Sequence, residues 1–280
     1  MRLFRTYHPE LIKQQPPFVL DLSEESYHHL CRVLRLPEGE EIHVVDGSGG
    51  HYVGKLTNIK KKSAQVAISD YVQATNEPLV QIHLVQGISK GDRMELTIQK
   101  AVELGVNEIT PVFTKRGEVR LNEERLEKKM RQWHAIMVNA CLQCYRDTIP
   151  TLNPPVSLEN YLKQVAANQD RPVLHARAYQ AWQSYDQQAA QIPNPEDNVN
   201  YQQLYINLNP FAGVRLKQIA PQTYQRVTIL VGSEGGLDDE EISKAQEAGF
   251  TDFNLGPRVL RTETTGLAAI AILQSHLGDL

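Results

Sequence analysis

The chain has 280 residues, 41% hydrophobic and 22% charged, with a formal net charge of −4. That length accommodates two domains with buried cores. There is no overall basic excess of the kind that phosphate binding favours, no apolar run reaches the ~18 residues of a membrane span, and three cysteines are too few for a disulfide scaffold.

The opening MRLFRTYHPE carries no long apolar run, so no secretory signal is expected and the protein is expected in the reducing cytoplasm. Residues 1–73 read as short strands and turns. Ile42, Val44, Val53, Leu56, Ile59, Val66 and Ile68 recur with an approximate period of two, and Asp46-Gly47 and Gly49-Gly50 mark turns. A small β-barrel or open sheet is expected, with one short helix near Glu24–Leu34. Residues 74–80 read as a linker.

From residue 81 the pattern changes. A buried strand is expected at 82–88, a helix over 92–104 stopped by Gly105, and a strand at 109–114. Leu126, Met130, Trp133, Met137, Ala140 and Cys144 recur at helical spacing over about six turns. Further strands are expected at 204–208, 227–232 and 251–256, with helices at 238–248 and 264–277. Strands alternating with helices predict an α/β domain over 81–280 with a mostly parallel sheet. The glutamine-rich stretch 171–203 reads as a surface insertion.

Three strand ends finish in turns of Gly, Asn or Pro, at 208, 232 and 256. Ligands of open α/β sheets sit outside the carboxyl ends of the strands, so these turns predict a shared pocket. The second turn, GSEGG, follows a β-branched strand. It lacks the lysine of a Walker loop and does not fit the dinucleotide fingerprint. Glu234 and the acidic start of the next helix would repel a pyrophosphate, so a nucleoside ligand without phosphates is expected. Asp238 and Glu241 stand in capping-box positions, and Thr262 or Thr264 can cap the last helix. That helix is apolar on nearly all sides and must be buried in the domain or in a subunit interface.

ILVGSEGG (229–236), FNLGPRVLRTETT (253–265) and GDRMELTIQKAVELGVNEITPVF (91–113) resemble the bacterial 16S rRNA uracil-N3 methyltransferases of the SPOUT superfamily. MRLFRTYHP and residues 28–47 are similar to that family's N-terminal PUA-like domain. The resemblance implies a C-terminal SPOUT domain with a trefoil knot, a homodimer, S-adenosylmethionine as cofactor, and 16S rRNA of the small ribosomal subunit as substrate. Carried over residue by residue, the cofactor pocket comprises Leu208, Asn209, Val231, Gly232, Glu234, Gly235, Leu255, Gly256, Val259, Leu260 and Arg261. Arg261 is expected to stabilise charge on the uracil. Glu234 and Glu263 are expected as proton acceptors or orienters. Ser233 stands where the family usually has proline, and Asn209 where it has histidine. With Leu142, these departures leave open an alternative, a catalytically weak or inactive rRNA-binding protein of the same fold.

RNA contacts are expected from Arg2, Arg5, Arg32 and Arg35 in the first domain and from Lys90 and Arg93 in the second. The charge is unevenly spread, with eleven Lys/Arg against nine Asp/Glu over 86–150 and nine against fourteen over 151–280. Cys141-x-x-Cys144 has no matching His or Cys pair at finger spacing, so core or interface thiols are expected and no metal.

Overall fold

The computed structural model describes residues 3–74, 76–120, 122–167, 203–219 and 224–280. Arg2 and the insertion at 171–203, apart from Gln203, lie outside the described residues. Two compact units form. The first holds the chain up to Glu77 together with Cys141–Ile149, and the second holds Pro78–Ala140 and the described residues from Pro150 onward.

The first unit is a five-stranded sheet in the order β1-β3-β4-β5-β2. Its strands are β1 (Phe4–Tyr7), β2 (Phe18–Asp21), β3 (Glu41–Val45), β4 (Gly50–Thr57) and β5 (Gln65–Gln73). β1 runs parallel to β3, and the other pairs are antiparallel. Alternating residues Ile42, Val44, Tyr52, Leu56, Val66 and Ile68 fill the core with Tyr27 and Leu30. Val53 does not join them. Along β4 the buried face is Gly50, Tyr52, Gly54 and Leu56, and Val53 lies on the opposite face with a register shift beside it.

The single helix expected near 24–34 is two pieces. α1 (Glu24–Tyr27) is capped by the Ser23 side chain, and a π-helix follows over His28–Val33. Tyr27 and Tyr52 are core residues, whose hydroxyls donate to the carbonyls of Lys61 at 2.8 Å and Ile12 at 3.0 Å. Segment 141–149 is fastened to this unit by buried ion pairs. Arg5 pairs with Asp147, His51 Nδ1 lies 2.9 Å from Asp147 Oδ2, and Arg146 Nη2 donates to Glu77 Oε2 at 2.6 Å. Buried charges require partners of this kind. Cys141 is buried, and burial pushes its thiol up to about 12.

The second unit is a seven-stranded sheet in which every pair is parallel. Its strands are β6 (Gln81–Gly87), β7 (Glu108–Phe113), β8 (Thr151–Leu152), β9 (Val156–Ser157), β10 (Gln203–Leu208), β11 (Arg226–Val231) and β12 (Thr251–Phe253). The order is β12-β10-β11-β6-β7-β8, with β9 also on β7. All six positions of β11 are buried, as befits a central parallel strand covered on both faces. The helices are α2 (Arg93–Glu103), α3 (Glu123–Cys144), α4 (Leu158–Ala166), α5 (Asp239–Glu247) and α6 (Thr262–Leu277).

α5 begins with the capping box of Asp238 and Glu241. At α6 the N-cap position belongs to Arg261, and no side chain caps it. Ala269, Ile270 and Leu273 bury one face of α6, while Leu267, Ala268, Ala271 and Ile272 are only half-buried. β12 stops at Phe253, short of the expected 256, because the Asn254 side chain turns the chain by accepting from the Gly256 amide at 2.9 Å. Among the described residues no helix is long and apolar enough to cross a membrane.

Candidate functional site

β12, β10 and β11 are neighbours and parallel, so Phe253, Leu208 and Val231 end on one edge of the sheet. The turns that leave those ends, with residues 258–265, line a cleft of about 560 Å³. Leu208, Asn209, Val231, Gly232, Glu234, Gly235, Leu255, Val259, Leu260, Arg261, Glu263 and Arg93 all line it. Gly256 does not; it makes the third turn possible with a φ of +125°.

In the first turn Asn209 works through its side chain. Its amide donates to Asp252 Oδ2 at 3.0 Å, and its carbonyl accepts from the Phe211 backbone at 3.0 Å. This is an Asx turn, and it holds Phe211 out at 87% exposure on the cleft rim. One residue before the end of β10, Asn207 is buried and donates to Asp252 Oδ1 at 2.8 Å, while its own Oδ1 has no partner among the described residues.

The second turn is packed backbone to backbone. A Cβ on Gly87 would lie 2.3 Å from Ser233 N, and one on Gly232 would lie 2.8 Å from Gly236 C. The departure from proline at 233 has a physical account. Ser233 is buried, its Oγ lies 2.9 Å from Thr114 Oγ1, and its carbonyl accepts from the Gly236 amide at 2.8 Å. A hydroxyl pair to the end of β7 thus fixes the loop. Gly236 follows with a φ of +70°.

Thr262 is diverted from capping to this loop. Its hydroxyl donates to the Gly232 carbonyl at 2.6 Å and accepts from Gln86 Nε2 at 2.9 Å. Glu234 Oε1 accepts from the Lys90 amide at 2.8 Å and from Arg93 Nη1 at 3.0 Å. Burial pushes the Glu234 pKa up, but the Lys90 amide, its own amide and Arg93 outweigh it and hold the carboxyl below the ordinary range. Arg93 also stands 3.9 Å from Glu263, whose Oε2 is buried without a hydrogen-bond partner among the described residues.

The expected RNA residues separate. Arg5 is buried against Asp147, which withdraws it from the surface and corrects its assignment as an RNA contact: its place in β1 turns it into the unit. Arg32 and Arg35 are exposed on the first unit, Arg35 with a φ of +54° just past the π-helix. Lys90 pairs with Glu118. Arg116, Arg258 and Arg261 also line the cleft, are exposed, and form no ion pair among the described residues. Sequence reading missed Arg116, Asn207 and Phe211. The one available signal was Asn207, a polar residue inside an apolar strand.

The bare loop backbone, the apolar walls of Leu208, Val231, Leu255 and Leu260, and the free acceptors on Asn207 and Glu263 suit a nucleoside that carries donor groups. Among the described residues no lysine side chain lines the cleft, so the glycine loop lacks the cation of a Walker loop.

Residues 75–274 match the RNA methyltransferase domain family, and residues 22–69 match the RNA methyltransferase PUA domain family. The chain is 30% identical to a Buchnera aphidicola protein named ribosomal RNA small subunit methyltransferase E, over 94% of this chain and 92% of that one. It is similar in structure to a Legionella pneumophila methyltransferase solved with bound cofactor SAM, at 34% identity, a TM-score of 0.82 and 100% coverage of both chains. A Neisseria gonorrhoeae ribosomal RNA small subunit methyltransferase E bound to S-adenosyl methionine matches at 31% identity with a TM-score of 0.80, again over 100% of both chains.

Proposed function

This chain belongs to the family of ribosomal RNA small subunit methyltransferase E, and from that premise we propose that it methylates N3 of one uridine in 16S rRNA. It is an rRNA methyltransferase that uses S-adenosylmethionine. One observation carries the reading: three adjacent parallel strands end in turns that present bare backbone to a single cleft, which Glu263 at the start of α6 also lines. The binding-only alternative draws no support from relatives that are themselves named methyltransferases.

When bound, S-adenosylmethionine supplies an electrophilic methyl group on its sulfonium. Gly232–Gly236 and the Leu255–Leu260 segment would hold its nucleoside, with Leu208 and Val231 as apolar walls. N3 of uracil carries a weakly acidic imide proton and lies on the pairing edge, so the base must be unpaired or flipped. Loss of that proton moves charge onto the flanking oxygens. Arg261, exposed in the cleft without an anionic partner, meets that charge. Glu234 acts as an orienter, since its lowered pKa and its bonds to Lys90 and Arg93 make it a weak base. Glu263, with one free oxygen, is the better acceptor.

We read the half-buried apolar face of α6 as the homodimer contact and Arg32 and Arg35 as RNA contacts, whereas Lys90 and Arg93 are engaged by Glu118 and by Glu234 and Glu263. The family's trefoil knot belongs to the segments around this cleft, and the protein works in the cytoplasm on small subunits. Methyl transfer to small subunits lacking the mark, with the product mapped to uracil N3, tests the reading. Arg261→Ala is expected to lower turnover roughly 10²–10³-fold, the effect of losing one charge-stabilising donor. Cofactor binding without any transfer would overturn the enzymatic reading.

A further inference from the structure

The turn Thr114–Gly117, which follows β7, is built onto the glycine loop. Thr114 Oγ1 and Ser233 Oγ are 2.9 Å apart, the Lys115 amide donates to Glu241 Oε1 at 2.7 Å, and Gly117 N donates to Thr114 O at 3.0 Å. Gly235 is in such close contact with this turn that a Cβ there would lie 2.8 Å from Arg116 Cβ and 2.9 Å from Arg116 O. The backbone beneath Arg116 is therefore fixed relative to the loop.

The cations here have different fates. The ammonium of Lys115 is committed to Asp238 and Glu240 at the start of α5, Lys90 to Glu118, and Arg93 to Glu234 and Glu263. Arg116 lines the same cleft, is exposed, and has no anionic partner among the described residues. A guanidinium carried on a fixed backbone, with no anionic partner among the described residues, is suited to bidentate capture of an oxyanion. A nucleotide drawn out of its stack brings its flanking phosphates to the mouth of the pocket that receives the base.

We infer that Arg116 is a substrate-binding residue that grips an RNA phosphate next to the target nucleotide. The inference rests on the methyltransferase reading above. It makes the turn after β7 a fourth wall of the site, recognising RNA backbone where the other three hold the nucleoside.

Arg116→Ala is a clean probe, because it keeps the Cβ and backbone that meet Gly235 and removes only the guanidinium. Binding of unmodified small subunits is measured over a range of salt concentrations, alongside steady-state transfer and calorimetry with S-adenosylmethionine. Loss of one phosphate contact should flatten the log–log salt dependence by about one. KM for the subunits should rise about tenfold or more, with cofactor affinity within twofold of the parent. Arg116→Lys should keep the salt slope and recover part of the KM. An unchanged slope with an unchanged KM would overturn the inference. So would a tenfold loss of cofactor affinity, which would put the guanidinium on the cofactor's carboxylate instead. Absence of transfer by the unsubstituted protein would sink the methyltransferase reading, whereas the binding slope decides the role of Arg116 on its own.

Discussion

Replacing Gly87 by alanine tests whether the floor of the cleft is as tight as the structure makes it. Gly87 ends β6, and the second turn lies directly against it. The added Cβ would stand 2.3 Å from Ser233 N, 2.6 Å from Gly232 C and 3.0 Å from Ser233 Cα. The optimal separation of such atoms is about 3.5 Å, so the first contact is short by roughly 1.2 Å. All three atoms are backbone and no rotamer change relieves them. The turn is also held from the far side by Thr114 and Thr262. Overpacking of this kind costs about 1–3 kcal/mol. If the turn gives way, that cost appears as cofactor affinity reduced by roughly 5–150-fold, since every 1.4 kcal/mol is tenfold. Calorimetry with S-adenosylmethionine and a thermal melt read the two outlets. Gly213→Ala serves as the control, because a Cβ there meets nothing within 4 Å. If Gly87→Ala leaves both affinity and melting temperature at the parental values, the close approach of β6 to the turn is wrong.

Thr262→Val keeps the shape of the side chain but removes the hydroxyl from the Gly232 carbonyl and from Gln86 Nε2, which keeps its bond to the Gly87 carbonyl. A cost of about 1–3 kcal/mol is expected, lowering Tm by roughly 2–4 °C per kcal/mol, and Thr262→Ser should restore most of it. Glu108 is set by burial, which raises its pKa, against His83, Arg226 and Asn153, which together leave it below the ordinary 4.5. A lowered carboxyl contributes stability above the unfolded value that is lost as pH falls through the folded one. Urea midpoints should therefore fall on acidification below 4.5, and Glu108→Gln should flatten that fall; equal slopes in the two proteins would count against it.

Much of the second unit was legible because its strands are short, largely apolar runs, most plainly the β-branched β11, and its helices repeat apolar residues at three and four. The convergence of three turns followed from a rule about strand ends, and the parallel order β12-β10-β11 satisfies it. What the pattern could not carry was side-chain commitment. Arg5 and Arg32 look alike in the sequence, yet one is buried against Asp147 and the other is exposed. Asp147 lies 142 residues from Arg5, beyond the reach of any local pattern. Thr262 is expected as a cap, but the N-cap is Arg261, and as the first helical residue Thr262 bonds to the Gly232 carbonyl instead. Arg116 gave no signal because its meaning depends on where Gly235 lies.

The carboxylate in the glycine loop disfavours phosphate less directly than its position in the sequence suggests. Glu234 does not simply face a ligand; it is turned to the Lys90 amide and to Arg93. What remains unbalanced is the group as a whole. One guanidinium, Arg93, serves two carboxylates, Glu234 and Glu263, and Glu263 Oε2 has no hydrogen-bond partner among the described residues. Within this trio the excess negative charge falls on Glu263, although Arg116, Arg258 and Arg261 line the same cleft, and a sulfonium bound near that carboxylate would be favoured over a neutral thioether. By Coulomb's law at an effective dielectric of about 20, a unit charge acting over about 8–16 Å would be worth about 1–2 kcal/mol. Glu263→Gln should therefore weaken S-adenosylmethionine by roughly 5–30-fold while leaving its demethylated thioether product nearly unaffected. The two ligands share adenosine, ammonium and carboxylate, so their affinity ratio isolates the sulfonium charge. Paired calorimetric titrations of both ligands measure it. A ratio that is the same in Glu263→Gln and the parent would mean that the surplus carboxylate does not read the cofactor's charge, and that the loop's acidity serves only to hold Arg93.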